Sequence, residues 1–170
     1  MMQRWPRSVM LVNLAFMVPL VGLGAWILWE TAWVLFWLYL AVWVGILTLG
    51  RYFVCRTCPC HGRDCPSYGY GHLAALLFKR DETRGFNNTA CVIDFAANGL
   101  AMLVPVVAWL LGFFDVLADF SPAEHAAIGI YLALLVAGVG VHQASGCAKC
   151  ENAECSFSKA TKARRTAVLP

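Results

Sequence analysis

The chain has 170 residues, of which 60% are hydrophobic and only 14% are charged, and its net charge is +3. Four apolar stretches approach the roughly 20 residues that a helix needs to cross a bilayer, so the composition indicates an integral membrane protein. The small positive charge is a signal of membrane topology and gives no reason to expect a nucleic-acid partner.

The apolar stretches predict four transmembrane helices, at about residues 9–29, 32–54, 90–114 and 126–144. A tight turn at Glu30 and Thr31 separates the first two spans. A cysteine-rich loop over 55–89 joins the second span to the third, and a cysteine-rich tail over 145–170 follows the fourth. The sequence therefore predicts an all-α, four-helix membrane bundle that forms a single domain over residues 1–170.

Lysine and arginine favour the cytoplasmic side of a membrane protein. Two of the 13 basic residues precede the first predicted span, six lie between the second and third when Arg51 near the end of the second is counted with the loop, and five follow the fourth. The charged residues on the opposite side are all acidic, namely Glu30, Asp115, Asp119 and Glu124. We therefore expect a multi-pass protein of the cell (inner) membrane, with both termini and all cysteines on the cytoplasmic side and basic residues near anionic lipid.

Eight cysteines dominate the polar segments. One group follows the second span with the pattern Cys-x2-Cys-x-Cys-x4-Cys, another follows the fourth with Cys-x2-Cys-x4-Cys, and one cysteine opens the third span. Clustered thiols on a reducing face indicate metal binding or redox work rather than structural disulfides. We predict that all eight are metal ligands in a metal-thiolate cap: Cys55, Cys58, Cys60, Cys65, Cys91, Cys147, Cys150 and Cys155.

The cysteine spacing narrows the choice of cofactor. Two residues between cysteines allow two thiolates to reach one metal from a tight turn. The first group approaches the Cys-x2-Cys-x2-Cys-x3-Cys-Pro run of bacterial ferredoxins, with its third cysteine displaced by one. Eight thiolates divide into two four-ligand sites, which favours iron-sulfur clusters of the [4Fe-4S] type, with zinc as the alternative. His61 and His142 are additional candidate ligands, since imidazole can replace a thiolate.

Ionisable and polar groups inside a bilayer are costly and need a reason. Asp94 lies about one turn inside the third span, Asn98 lies one turn further on the same face, and His142 lies about one turn before the end of the fourth span. These residues predict a proton path or a quinone head-group site near the cysteines. The alternative is that Asp94 pairs with an arginine such as Arg84 or Arg51.

A Cys-Arg-x-Cys-Pro signature leaves the second span, and Cys-x2-Cys-x4-Cys follows the last span. In this organisation the chain resembles a group of small, cysteine-rich, uncharacterised membrane proteins of prokaryotes. The resemblance implies four spans over most of the chain and implies no activity. The matching residues are Cys55, Arg56, Cys58, Pro59, Cys147, Cys150 and Cys155.

We expect an iron-sulfur electron carrier that passes electrons from a cytoplasmic donor to a quinone or a membrane redox partner. In that role the chain would be the electron-transfer subunit of an oxidoreductase complex, and assembly as a homo-oligomer stays open. One alternative is a scaffold or interaction protein in which structural zinc ties the loop to the tail. A second alternative is a thiol-disulfide and quinone redox protein or a soft-metal transporter.

Overall fold

The computed structural model describes residues 5–114, 120–150, 152 and 154–160. Within these ranges the regular structure is entirely helical. The helices are α1 (Arg7–Thr31), α2 (Trp33–Gly45), α3 (Tyr70–Leu77), α4 (Asn88–Phe113) and α5 (Pro122–Ser145). A π-helix over Ile46–Cys55 continues α2, and a short 3-10 turn over Cys147–Lys149 follows α5.

Four helical segments among the described residues are long and apolar enough to cross a membrane: Arg7–Thr31, Trp33–Cys55, Asn88–Gly112 and Pro122–Lys149. The predicted all-α architecture is confirmed over the described ranges, with four helices that are long and apolar enough to span a membrane. Much of the apolar surface faces outward, including Trp29, Trp33 and Trp37, each more than half exposed. Such a surface is compatible with lipid contact rather than with water.

The helices run alternately up and down. Trp5 before α1, Cys55 at the end of the π-helix, Cys91 in the first turn of α4 and Gly146 after α5 all border one cavity. We call this side of the bundle the cysteine end and the half away from it the far half. The loop and the described part of the tail therefore meet at the same end.

The far half is closely packed around a glycine. A Cβ atom at Gly24 of α1 would lie 2.8 Å from the hydroxyl of Tyr39, 3.0 Å from Pro105 and 3.0 Å from the ring of Tyr131. Residues from the other three spans thus converge on this point of α1. The absence of a side chain permits the close approach of membrane helices.

The π-helix changes which residues of the second span face inward. Ile46, Arg51 and Cys55 are all buried, although Ile46 and Arg51 would lie about 140° apart around an α-helix of 3.6 residues per turn. The wider π-helical turn, with its five-residue hydrogen bonds, brings them to one face. The Arg51 side chain itself donates from Nε to the carbonyl oxygen of Ile46 at 3.2 Å.

Candidate functional site

A cavity of about 240 Å³ lies at the cysteine end. Its wall includes an apolar part, formed by residues such as Met102 and Val139, that lies between α4 and α5. Cys91 and Met102 are about 16 Å apart along α4 at 1.5 Å per residue, so the cavity extends well into the bundle. It is lined by all eight cysteines: Cys55, Cys58, Cys60, Cys65, Cys91, Cys147, Cys150 and Cys155.

The loop places its cysteines by tight turns. Cys58 N donates to the carbonyl oxygen of Cys55 at 3.2 Å, and His61 N donates to that of Cys58 at 3.1 Å. Gly71 of α3 packs directly on this turn, because a Cβ there would overlap the carbonyl oxygens of Cys60 and Arg63. The first turn of α3 therefore holds the loop in place.

Within the loop, Cys60 is central. Its thiol interacts with the thiols of both Cys58 and Cys65 and changes their acidity. Backbone amides also approach sulfur, since Cys60 N lies 3.5 Å from Cys58 Sγ and Ser67 N lies 3.4 Å from Cys65 Sγ. We call Cys55, Cys58, Cys60 and Cys65 the loop set.

The tail reaches the first turns of α4. Cys91 Sγ and Cys155 Sγ are 3.9 Å apart. Next to them Ser156 N donates to Asn88 Oδ1 at 2.9 Å, and the rings of Phe95 and Phe157 are 4.5 Å apart. Cys150 N donates to the carbonyl oxygen of Cys147 at 3.3 Å, and we call Cys91, Cys147, Cys150 and Cys155 the tail set.

The thiols of the two sets differ in acidity. Hydrogen bonding from Cys60 lowers the pKa of Cys58, lowers the pKa of Cys65 to about 7 and raises the pKa of Cys60 itself. The hydrogen bond with Cys91 lowers the pKa of Cys155 to about 6, whereas burial raises the pKa of Cys150 to about 11. Each set therefore contains a sulfur that is readily available as the thiolate, which is the metal-binding form.

A buried ion pair lies beside the loop set. The side chains of Arg51 and Asp94, 2% and 13% exposed, form a salt bridge between the π-helix and α4. The Arg51 guanidinium also lies 4.0 Å from the centre of the Tyr70 ring and donates from Nη1 to Cys55 Sγ at 3.5 Å. Of the alternatives for Asp94, the structure shows pairing with Arg51, while Arg84 lies 3.7 Å from Asp81.

A hydrogen-bond network joins α1 to α5 at the cavity wall. Asn13 Nδ2 donates to Val9 O at 2.8 Å and to Ser145 Oγ at 3.2 Å, so Asn13 Oδ1 is the atom that faces His142 Nδ1 at 3.3 Å. An amide oxygen only accepts, and His142 therefore donates from Nδ1, which leaves Nε2 with the lone pair in the neutral ring. The imidazole stacks on Tyr68 and borders the cavity.

The other predicted residues divide between the cavity and the loop surface. Asn98 borders the cavity, and its Oδ1 is buried without a hydrogen-bond partner among the described residues. His61 is outside the cavity wall, where Nε2 donates to the carbonyl oxygen of Phe78 at 3.1 Å. Within the described ranges, no group of three or more histidine, cysteine, aspartate or glutamate side chains is arranged to hold a single metal ion.

Three residues near the site were not among the predicted site residues, namely Asn13, Tyr68 and Tyr70. Asn13 is 1% exposed within the first span, and a buried amide inside an apolar run is a signal that the sequence already contains. Tyr68 and Tyr70 carry no such signal, because they border the cavity only through the fold of the loop.

Comparison with protein-family models, curated proteins and solved structures finds no match to this chain.

Proposed function

We propose that the chain is a membrane-anchored iron-sulfur electron carrier. The observation that carries this proposal is that eight cysteines from the loop, the start of α4 and the tail border one cavity. Eight thiolates match two clusters with four cysteine ligands each. All eight lie at one end of a four-span bundle, where the cytoplasmic side is the expected location from the basic residues.

The volume of the cavity supports a polynuclear group. In a zinc site each sulfur lies about 2.3 Å from the ion, so the ligands close around it and leave little space. The cavity volume of about 240 Å³ is several times the roughly 30 Å³ that one water occupies in the liquid. A cavity of this size has room for a group of several atoms beside the cysteines, and part of its volume lies along the apolar wall near Met102.

Bound clusters would supply one-electron redox chemistry, and the chain would determine which electron donor and acceptor can reach them. A reduced donor at the cytoplasmic face would lose one electron at each encounter with the cysteine end. Reduction of one quinone to its quinol takes two electrons and two protons, so two donor encounters are required for each turnover. A membrane redox protein as acceptor would require no proton.

Two polar residues and an apolar part of the cavity wall support a quinone as the acceptor. Asn98 Oδ1 is an unpartnered acceptor that could accept a hydrogen bond from a quinol hydroxyl. His142, with its lone pair on Nε2, could take up a proton and pass it on. The apolar part of the wall around Met102 and Val139 suits an apolar quinone ring.

The test begins with the full chain purified in detergent without oxygen. Iron, acid-labile sulfide and zinc are quantified per chain, and the visible spectrum is recorded before and after reduction. We expect about eight iron and eight sulfide per chain, from two four-iron clusters, and an absorption band that bleaches on reduction. Colourless stoichiometric zinc would contradict the proposal and favour the zinc scaffold, and a metal-free chain would favour thiol exchange or transport.

A further inference from the structure

The contacts among the cysteines carry an inference about how they are shared. We infer that the loop set and the tail set are two separate four-thiolate metal sites within one cavity, and that Cys91 belongs with the tail. This inference rests on the proposed metal-thiolate function, but it does not depend on which metal is bound. Sequence spacing alone leaves the assignment of Cys91 open, because Cys91 is distant in the chain from both groups.

The loop set is defined by the turns of the loop. Cys58 N donates to the carbonyl oxygen of Cys55 at 3.2 Å, and the amides of Cys60 and Ser67 lie 3.5 and 3.4 Å from Cys58 Sγ and Cys65 Sγ. Cys55 also belongs to the packed cluster of Val54, Tyr70 and Ala74. These cysteines are therefore positioned by the π-helix, the turns of the loop and α3.

The tail set is defined by the clasp between the tail and α4. Cys91 Sγ and Cys155 Sγ are in direct contact at 3.9 Å, so the tail brings Cys155 against the first turn of α4. Phe86 N donates to Glu154 Oε2 at 3.2 Å, next to the hydrogen bond between Ser156 and Asn88. Two backbone amides thus hold the tail against the start of α4 and support the pairing of Cys91 with Cys155.

Contact between the sets is of a different kind. Cys58 interacts electrostatically with Cys91, Cys150 and Cys155, whereas Cys91 and Cys155 are in direct sulfur contact at 3.9 Å. Cys58 is therefore the loop cysteine that faces the tail set. We therefore expect two neighbouring sites, with Cys58 at the boundary between them.

The experiment identifies which cysteines become accessible to alkylation together when one proposed ligand is removed. The metal-loaded chain is prepared with a single substitution, Cys65→Ser or Cys60→Ser in the loop set and Cys155→Ser or Cys91→Ser in the tail set. Each variant is alkylated with N-ethylmaleimide, and modified cysteines are identified by mass spectrometry. Thr57→Ser and Ser156→Ala are matched controls next to a cysteine of each set, and both should keep all eight cysteines protected.

A loop substitution should expose the three remaining loop cysteines, leave Cys91, Cys147, Cys150 and Cys155 protected, and halve the metal content. A tail substitution should give the mirror pattern, and a double variant with one substitution in each set should lose nearly all metal. Exposure of Cys91 in the Cys65→Ser chain, with Cys91 still protected in the Cys155→Ser chain, would overturn the assignment. Exposure of both sets by every single substitution, in chains that keep their helical circular dichroism, would show one joint site.

A measurement on the unsubstituted chain covers the case of variants that fail to fold. The metal-free chain is loaded with half the saturating amount of metal, alkylated, and analysed as intact molecules. Separate sites predict molecules in which one complete set is protected, and mixed groups of four would overturn the inference. If the chain takes up zinc and no iron, the electron-carrier proposal fails while the same alkylation pattern, with zinc as the probe, still decides the assignment.

Discussion

The far half of the bundle and its cysteine end are built from opposite chemistry. In the far half, Gly24 allows Tyr39 and Tyr131 to approach closely, and apolar side chains such as Ile27 and Ile128 are fully buried. The cysteine end buries an arginine, a carboxylate and thiols around a cavity. A filled apolar interior favours stability, whereas buried charge and unfilled space cost stability and concentrate at functional sites.

The largest expected effect on stability comes from breaking the buried ion pair. Asp94→Ala leaves the Arg51 guanidinium without its carboxylate, and we expect unfolding to become easier by about 3–5 kcal/mol, since one buried charge is then uncompensated. The measurement is a denaturation curve in mixed detergent micelles. Asp64→Ala is the control, because Asp64 pairs with Arg7 and His72 at more exposed positions. Similar losses in the two variants would mean that burial gives the inner pair no special importance.

A side chain at Gly71, which would overlap backbone carbonyl groups of the loop, should reduce metal binding and leave the far half intact. Gly71→Ala places a Cβ against the carbonyl oxygens of Cys60 and Arg63, so we expect loss of the metal held by the loop set, which is about half of the total if each set holds one cluster. Iron analysis with alkylation mapping provides the measurement. Gly85→Ala is the matched control, since a Cβ at Gly85 meets nothing within 4 Å. Full metal content in the Gly71→Ala chain would show that α3 does not hold the loop cysteines in place.

The matching substitution in the far half should lower the stability of the bundle and leave the metal content unchanged. Gly24→Ala introduces a Cβ within 3.0 Å of three side chains, and overpacking of this kind costs about 1–3 kcal/mol. Gly22→Ala, where a Cβ meets nothing within 4 Å, should change the denaturation curve little. Metal content should stay at the level of the unsubstituted chain in both variants. Loss of metal from Gly24→Ala alone would show that the two halves are coupled.

The smallest effect concerns the redox properties of the loop set. Arg51→Lys keeps the positive charge near Asp94 but removes the guanidinium hydrogen bond to Cys55 Sγ. A donor to a ligand sulfur stabilises the more negative reduced cluster, so its removal should lower the reduction potential. A hydrogen bond of about 1 kcal/mol corresponds to roughly 40 mV for one electron.

A redox titration of the purified chain provides this measurement, with Arg56→Lys as the control. Arg56 pairs with Asp81 and packs on Tyr52 outside the cavity wall, so its replacement should leave the potential unchanged. An equal potential in the Arg51→Lys chain would show that the contact with Cys55 does not influence the cluster.

The four spans could be predicted because hydropathy is a local property of about 20 consecutive residues. The π-helix could not be predicted in the same way, because it depends on the inward placement of Arg51 and Cys55 against α4 and α3. The charge pattern groups Arg51 with the loop, yet Arg51 lies buried inside the second span. Arg51 lies within the second predicted span and Asp94 within the third. These two positions are the sequence signals that make their pairing one of the predicted alternatives.

The sequence by itself determined the class of the molecule. It has four apolar helices, basic residues before the first span, in the loop and after the last span, and cysteines directly after two spans. Each of these follows from composition over short stretches. Only the tertiary structure decided that Cys91 meets Cys155, that Asp94 pairs with Arg51 and that His61 turns away while His142 borders the cavity. These outcomes join residues up to 64 positions apart or depend on which face of a helix turns inward, and packing of the whole bundle determines both.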